Sequence, residues 1–441
     1  MSHDAPDTGT IAGRRTIRKA IAASGVGNAT EWFDYGIYSV SVAYITANFF
    51  PGGTVWALAT FAISFLVRPL GGLVWGPLGD RLGRKRILSL TILLMAAGTF
   101  AIGILPTYDA IGWWAPALLI FLRMVQGFST GGEYGGAATF MAEYSPDRQR
   151  GFFGSFLEFG TLLGFVLGTA LVLLLQIVLG EAAMYDWGWR IPFLIAGPLG
   201  LVGLYLRSRL EETPVFQELS DNDEQEHSAA ATFRDLLHYW RPLLAMGGLV
   251  IALNVANYTL ISYSPTYLEA QLGMDADAAL GLILVGELLM MVLIPFAGTL
   301  SDRIGRKPVW AISMAGLFVA AVPLYLLIGT GFLGALIGFA ALGALYVLQL
   351  GTISATFPAM FPTQVRYAGF AITYNVSTAL FGGTAPLFNE ALIEATGNLL
   401  IPAFSMMAAC AVGLIALIFV RETANASLRG TDLPIAPGAR P

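Results

Sequence analysis

The chain has 441 residues, 56% of them hydrophobic and only 12% charged, with a net charge of -5 and a mean hydropathy of +0.68. Soluble domains carry about 25% charged residues, so this balance excludes a large soluble core. The apolar stretches run to roughly 20 residues, which excludes a barrel of ten-residue alternating strands and points to membrane-crossing helices. The single cysteine, Cys410, excludes an intramolecular disulfide.

Residues 1 to 19 are polar, with Arg14, Arg15, Arg18 and Lys19 ahead of the first apolar run. That run is far longer than the apolar core of a signal peptide and lacks a clear cleavage site, so it reads as a retained first helix. Polar loops and Gly/Pro clusters divide the chain into twelve predicted spans: 21–49, 56–78, 87–106, 113–141, 152–179, 189–208, 241–268, 278–300, 309–328, 332–360, 369–392 and 399–420. The long acidic stretch from Glu211 to Tyr239 separates two sets of six. The predicted organisation is a tail (1–20), a six-helix bundle (21–210), a linker (211–240), a second bundle (241–421) and a second tail (422–441).

The first span carries "GNATEWFDYGIY" at 27–38, with two acids in an apolar helix. Carboxylates near the bilayer centre are costly and need a reason. At 100° per residue Glu31, Asp34, Tyr35 and Tyr38 share one face, and counting from Lys19 puts the acids at ~18 and ~22 Å along the helix. They are expected to line a water-accessible cavity. The second span adds Arg68, the fourth Arg123 and Glu133, the fifth Glu158. Arg68 and Glu133 both fall at ~15 Å depth and are expected to pair, while Arg123 lies closer in depth to Asp34 and is expected to pair there. Buried salt bridges that hold helices in register are the competing reading of each. Gly127, Gly131, Gly132, Gly135 and Gly136 crowd the fourth span, for close helix packing or for a bend.

In the seventh span, "NVANYTLISYSPTY" carries Tyr258 and Tyr263, and the eighth holds an extra intramembrane acid, Glu287. The halves echo each other: "GDRLGRKR" at 79–86 returns as "SDRIGRKP" at 301–308, and "SPDRQRGFFGSF" at 145–156 returns more weakly as "FPTQVRYAGFAI" at 361–372. Lys and Arg gather after even-numbered spans and avoid the opposite loops, Arg190 excepted. The positive-inside rule puts both termini and the linker in the cytoplasm of a multi-pass plasma-membrane protein.

No Walker A motif supports ATP drive, and no His/Cys cluster supports a metal. The three histidines, His3, His227 and His238, lie in polar segments, so an intramembrane nucleophile–His pair is excluded. Thinly spread basic residues exclude nucleic-acid binding.

The two GDRLGRKR-type motifs resemble the signature of the major facilitator superfamily. "GNATEWFDYGIY", "FLVRPLGG" at 65–72, "QGFSTGGEYGGA" at 126–137, "AEYSPDRQRGFFGS" at 142–155 and "DWGWRIPF" at 186–193 resemble its metabolite:proton symporters over nearly the whole chain. "PAMFPTQVRY" at 358–367 and "RLEETPVFQ" at 209–217 resemble the osmoregulatory proline and glycine betaine symporters within that family. The resemblance implies an all-α major facilitator fold of twelve transmembrane helices in two pseudo-symmetric bundles, working as a monomer in the bilayer without a cofactor other than the coupling proton. It implies a cytoplasmic gate at Asp80 and Arg84 and, in the second copy, Asp302 and Arg306. The long C-terminal coiled coil associated with osmotic tuning has no counterpart after Arg421, where Pro434 and Pro437 fall and heptads are absent; the resemblance therefore leaves osmotic activation open.

In such a symporter, without intramembrane histidine, a carboxylate must carry the proton: Glu31 and Asp34 first, Glu133 and Glu158 behind them. A zwitterionic substrate with a quaternary ammonium suits aromatic faces, here Tyr35, Tyr38, Tyr258 and Tyr263, with Arg123 or Arg68 for its carboxylate. Packing is the alternative reading of each tyrosine. A symporter of carboxylates such as α-ketoglutarate, citrate or shikimate, using the arginines as anion clamps, remains open, as does a non-transporting sensor on the same scaffold.

Overall fold

Apolar runs of this length leave the backbone one way to satisfy its hydrogen bonds in lipid, the helix. The computed structural model describes residues 11–82, 84–131, 133–208, 236, 238–362, 365–428 and 434, and among them twelve helical rods fall on the twelve predicted spans. In the first half they are α1 (Ile11–Val40, continued by Val42–Phe49), α2 (Thr54–Leu82), α3 (Arg84–Ile104), α4 (Trp114–Thr130, continued by Glu133–Tyr144), α5 (Arg150–Leu179) and α6 (Arg190–Ser208). In the second they are α7 (Trp240–Asn257, continued to Gln271), α8 (Ala276–Ile304), α9 (Arg306–Ile328), α10 (Phe332–Leu350, continued by Ile353–Thr356), α11 (Arg366–Ser377, continued by Ala385–Thr396) and α12 (Ile401–Ile418). Seven of these segments meet the length and hydropathy of a membrane crossing. Leu73, Phe121, Phe296, Val319 and Ile418 point outward and are exposed, as a lipid-facing surface requires. Residues 1–10 of the predicted tail (1–20) and most of the predicted linker lie outside the described residues.

The packing repeats between halves. α1 lies along α5 as α7 lies along α11, and across the interface α5 meets α8 as α11 meets α2. Small residues set the closest approaches. A Cβ on Gly127 would stand 1.7 Å from the Ser64 carbonyl oxygen, and one on Gly131 2.1 Å from that of Arg68. Glycines at these two positions of α4 therefore bring it against the backbone of α2, close packing of the small-xxx-small kind.

Two features depart from expectation. The GDRLGRKR-type motifs are not loops. α2 runs on to Leu82 and α3 starts at Arg84, and in the second copy α8 and α9 are separated by Gly305 alone. Gly305 has φ 102°, a left-handed conformation that favours glycine. Beyond Asn257, α7 also widens into π-helical turns over Tyr258–Tyr263 and Tyr267–Gln271, so its far half does not keep the α period. Below, the face where α6 ends and α7 begins is the linker face, and the other is the far face.

Arg190, the exception to the charge rule, sits at the far face where α3 ends. Its Nη1 donates to the carbonyl oxygens of Leu105 at 2.5 Å and Gly103 at 3.3 Å, and its guanidinium lies 4.4 Å from the Trp189 ring. A cation suits the negative end of a helix.

Candidate functional site

The charged face of α1 meets α2 first. Arg68 Nη2 donates to Glu31 Oε1 at 2.7 Å, and both side chains are buried. The guanidinium carbon lies 5.4 Å from the Phe65 ring, 5.5 Å from Tyr35 and 6.0 Å from Trp32, and Arg68 Nε is buried without a hydrogen-bond partner. The expected partner of Arg68 was Glu133. The Glu133 side chain lies outside the described residues; among those described Arg68 pairs with Glu31, the shared face of α1 turning toward α2.

Arg123 and Asp34 form no direct ion pair among the described residues. Their charges are close enough to interact, but they are joined through neutral groups. Arg123 Nη1 donates to Gln126 Oε1 at 2.9 Å, Gln126 Nε2 donates to Thr99 Oγ1 at 2.5 Å, and the Thr99 hydroxyl donates to Asp34 Oδ2 at 2.6 Å. Arg123 Nη2 donates to Ser64 Oγ at 3.1 Å, a group brought into reach by the approach at Gly127. The guanidinium lies 4.2 Å from the Tyr38 ring, whose hydroxyl is taken up by the Ala57 carbonyl at 3.0 Å. Tyr38 thus serves as a face for Arg123, while the Tyr35 hydroxyl meets Thr130 at 3.3 Å.

Glu158 on α5 is a third buried carboxyl, accepting from the Tyr134 hydroxyl and, at 3.1 Å, from Thr161. The Tyr134 ring stacks on Tyr374 of α11 with centroids 4.5 Å apart, which makes this cluster a bridge between halves. Among the described buried groups of the first bundle's interior, three carboxyls (Glu31, Asp34, Glu158) therefore face two guanidiniums (Arg68, Arg123).

The second half closes the site. Tyr258 sets its ring edge-on to Phe65 at 5.0 Å, and its buried hydroxyl has no partner among the described residues. Tyr346 donates to Asn257 Oδ1 at 2.9 Å. Tyr263 is placed elsewhere: its hydroxyl donates to Glu390 Oε2 at 2.5 Å, near Gln271 toward the far face. Tyr258 and Tyr263 are five residues apart on α7, which sets Tyr263 about 7 Å further toward the far face.

The halves touch near both ends. At the far face a cleft with about 30 Å³ of free volume lies between Val42 and Thr54 on one side and Thr266 and Glu269 on the other, above the Phe65–Tyr258 contact. At the linker face the Asp302 carboxylate accepts from the backbone amides of Gly151 at 2.8 Å and Phe152 at 2.9 Å, the start of α5, and pairs with Arg306 at 2.8 Å. Arg366 pairs with Glu143 at 2.9 Å across the halves. Asp80 and Arg84 have side chains outside the described residues.

Three participants went unread in the sequence. Arg150 Nη1 donates to the Ala426 carbonyl at 2.9 Å and Arg366 Nη2 to that of Leu428 at 2.8 Å. Glu422 accepts from the amides of Arg306 at 2.9 Å and Lys307 at 3.0 Å, at the N-terminus of α9. The two arginines were visible as the shared position of the 145–156 and 361–372 echo; the chain segment they hold carried no signal.

Comparison with known proteins adds to this geometry. Residues 25–386 match the family model described as Major Facilitator Superfamily. The chain is 46% identical over 434 residues to the "Proline/betaine transporter" of Escherichia coli K12, covering 96% of this chain and 87% of that one. It is 44% identical over 437 residues to the "Glycine betaine/proline/ectoine/pipecolic acid transporter OusA" of Dickeya dadantii, with 96% and 87% covered. It is 44% identical over 435 residues to the "Ectoine/proline transporter ProP" of Corynebacterium glutamicum, with 95% and 86% covered. Among solved structures, a D-xylose-proton symporter superposes with a TM-score of 0.72 at 19% identity, over 93% of this chain and 100% of that one, a likeness of fold.

Proposed function

This chain belongs to the Major Facilitator Superfamily, and we propose that it imports a zwitterionic solute of the proline, glycine betaine or ectoine class together with protons, by alternating access of its two halves. Relatives named for these solutes share its whole fold-bearing length. The observation that carries the reading is the buried Arg68 guanidinium, ion-paired to Glu31 and set among Trp32, Tyr35 and Phe65. A quaternary ammonium has no N–H to donate, so aromatic faces and nearby carboxylates are what can hold it. Its carboxylate suits the fork of an arginine.

In this reading the solute carboxylate competes with Glu31 for Arg68. Glu31, released, binds a proton. Among the described residues three carboxyls face two guanidiniums, so with all of them ionised a proton taken up with a zwitterion offsets the one negative charge left over. A neutral centre is the one that closes into a low dielectric at least cost. The distribution of Lys and Arg supports termini and linker in the cytoplasm, so the linker face is the inner one.

Uptake of labelled glycine betaine into proteoliposomes tests this, with and without an inward-directed acid gradient. Accumulation above equilibrium only with the gradient is the expected result; accumulation indifferent to the gradient removes the proton. The two buried arginines favour a second reading, a carboxylate symporter, which the same vesicles distinguish by transporting α-ketoglutarate and ignoring betaine.

A further inference from the structure

Glu287 plays no part in the site above. It lies on α8, eleven residues from the start of the helix at Ala276, which places it ~16 Å deep and near mid-bilayer. The residue is 1% exposed, and its Oε2 is buried without a hydrogen-bond partner. Ile283 and Met290, one turn away on the same face of α8, are fully buried. Thr169 of α5 brings its buried hydroxyl within hydrogen-bonding reach of the carboxyl from the other half, though no well-aligned bond joins them among the described residues. No charged or titratable side chain among the described residues acts on Glu287 from α5 or from any other helix packed on α8.

A carboxylate with an empty oxygen, no cation and apolar neighbours is strongly disfavoured as an anion. As a neutral acid it has an O–H to offer and, with a small rotation, Thr169 Oγ1 to receive it. The position matters as much as the burial. α5 and α8 are the helices through which the two halves press together, and Glu287 and Thr169 belong one to each.

We propose that Glu287 is a second proton-binding site, in the seam between the halves and separate from the Arg68 centre. It carries its proton as a neutral acid while the seam is closed. When α5 and α8 part, water reaches the carboxyl and the O–H proton passes to it, leaving a solvated carboxylate that is reprotonated before the seam closes again. The site deepens the proton-coupled reading, and its relevance to uptake rests on that reading.

The test is infrared spectroscopy of the full chain in lipid nanodiscs at neutral pH, reading the C=O stretch of protonated carboxylic acids. Glu287→Gln should delete one such band and Glu31→Gln should leave it. Thr169→Val should shift it to higher frequency, which serves if the glutamine variant does not fold. A spectrum unchanged by Glu287→Gln, or a band indifferent to Thr169→Val, overturns the site. Transport is scored apart: the band present with gradient-independent uptake keeps the Glu287 site and removes the symport reading, while gradient-driven uptake without the band does the reverse.

Discussion

Arg150 and Arg366 stand at equivalent positions of the two halves, and each donates through Nε at 3.1 Å to the carbonyl eight residues upstream, that of Ala142 and that of Pro358. They also share a partner, since one holds the carbonyl of Ala426 and the other that of Leu428. Leu428 packs with Ala142 and Ala359, one from each half. A stretch of chain past α12 thus ties the halves together at the linker face.

Groups that share a partner are not additive. Arg150→Lys and Arg366→Lys each remove the planar fork, and the double variant should lose less stability than the two losses combined, by a coupling of about 0.5–3 kcal/mol. Thermal unfolding of the four proteins in detergent measures it. Strict additivity would mean that residues 426–428 do not link the arginines.

The Arg68–Glu31 pair gives an asymmetric expectation. Arg68→Ala removes the guanidinium from a buried carboxylate and should destabilise by about 3–5 kcal/mol. Adding Glu31→Gln should recover much of the stability and none of the gradient-driven uptake. If the double variant accumulates solute as the parent does, the pair is only a brace.

Gly127→Ala should be poorly tolerated. Its Cβ would meet the Ser64 carbonyl, so α2 and α4 must part, at a cost of about 1–3 kcal/mol or more. Gly136→Ala has its nearest contact at 3.6 Å, on the Tyr367 ring, and should be neutral or slightly stabilising. Melting temperatures of the two variants compare them directly; equal losses would contradict the packing argument.

Asp302→Asn removes a charge that faces two amides at the start of α5 and one guanidinium. A loss of about 0.5–2 kcal/mol at such a cap would raise the population open at the linker face severalfold. Labelling rates of a cysteine placed at Phe152 should rise accordingly, and unaltered rates would take Asp302 out of the gate.

Twelve rods were legible because hydropathy reports them directly, one run at a time. The charged residues of the centre were legible for the same reason: Glu31, Asp34, Arg68, Arg123 and Glu158 stand out against apolar sequence. Their pairing was not. Whether Arg68 meets Glu31 or Glu133 depends on how three helices are rotated about their axes, and hydropathy is blind to rotation between helices of similar depth. Thr99 and Gln126, which carry the link from Arg123 to Asp34, are neutral and common. Nothing in their composition distinguishes a relay from a surface residue. The hydrogen bond from Tyr263 to Glu390 was equally invisible, because it joins two helices 127 residues apart in the chain.

The single residue between α8 and α9 has a mechanical meaning. Gly305 leaves no slack, and Glu422 pins the first amides of α9 to the chain beyond α12. A tilt of α8 is therefore transmitted undamped to α9 and from there to the segment that Arg150 and Arg366 hold. Asp302 on α8 and the Ala426–Leu428 segment are thereby parts of one stiff linkage at the linker face, with Gly305 and Glu422 as its joints.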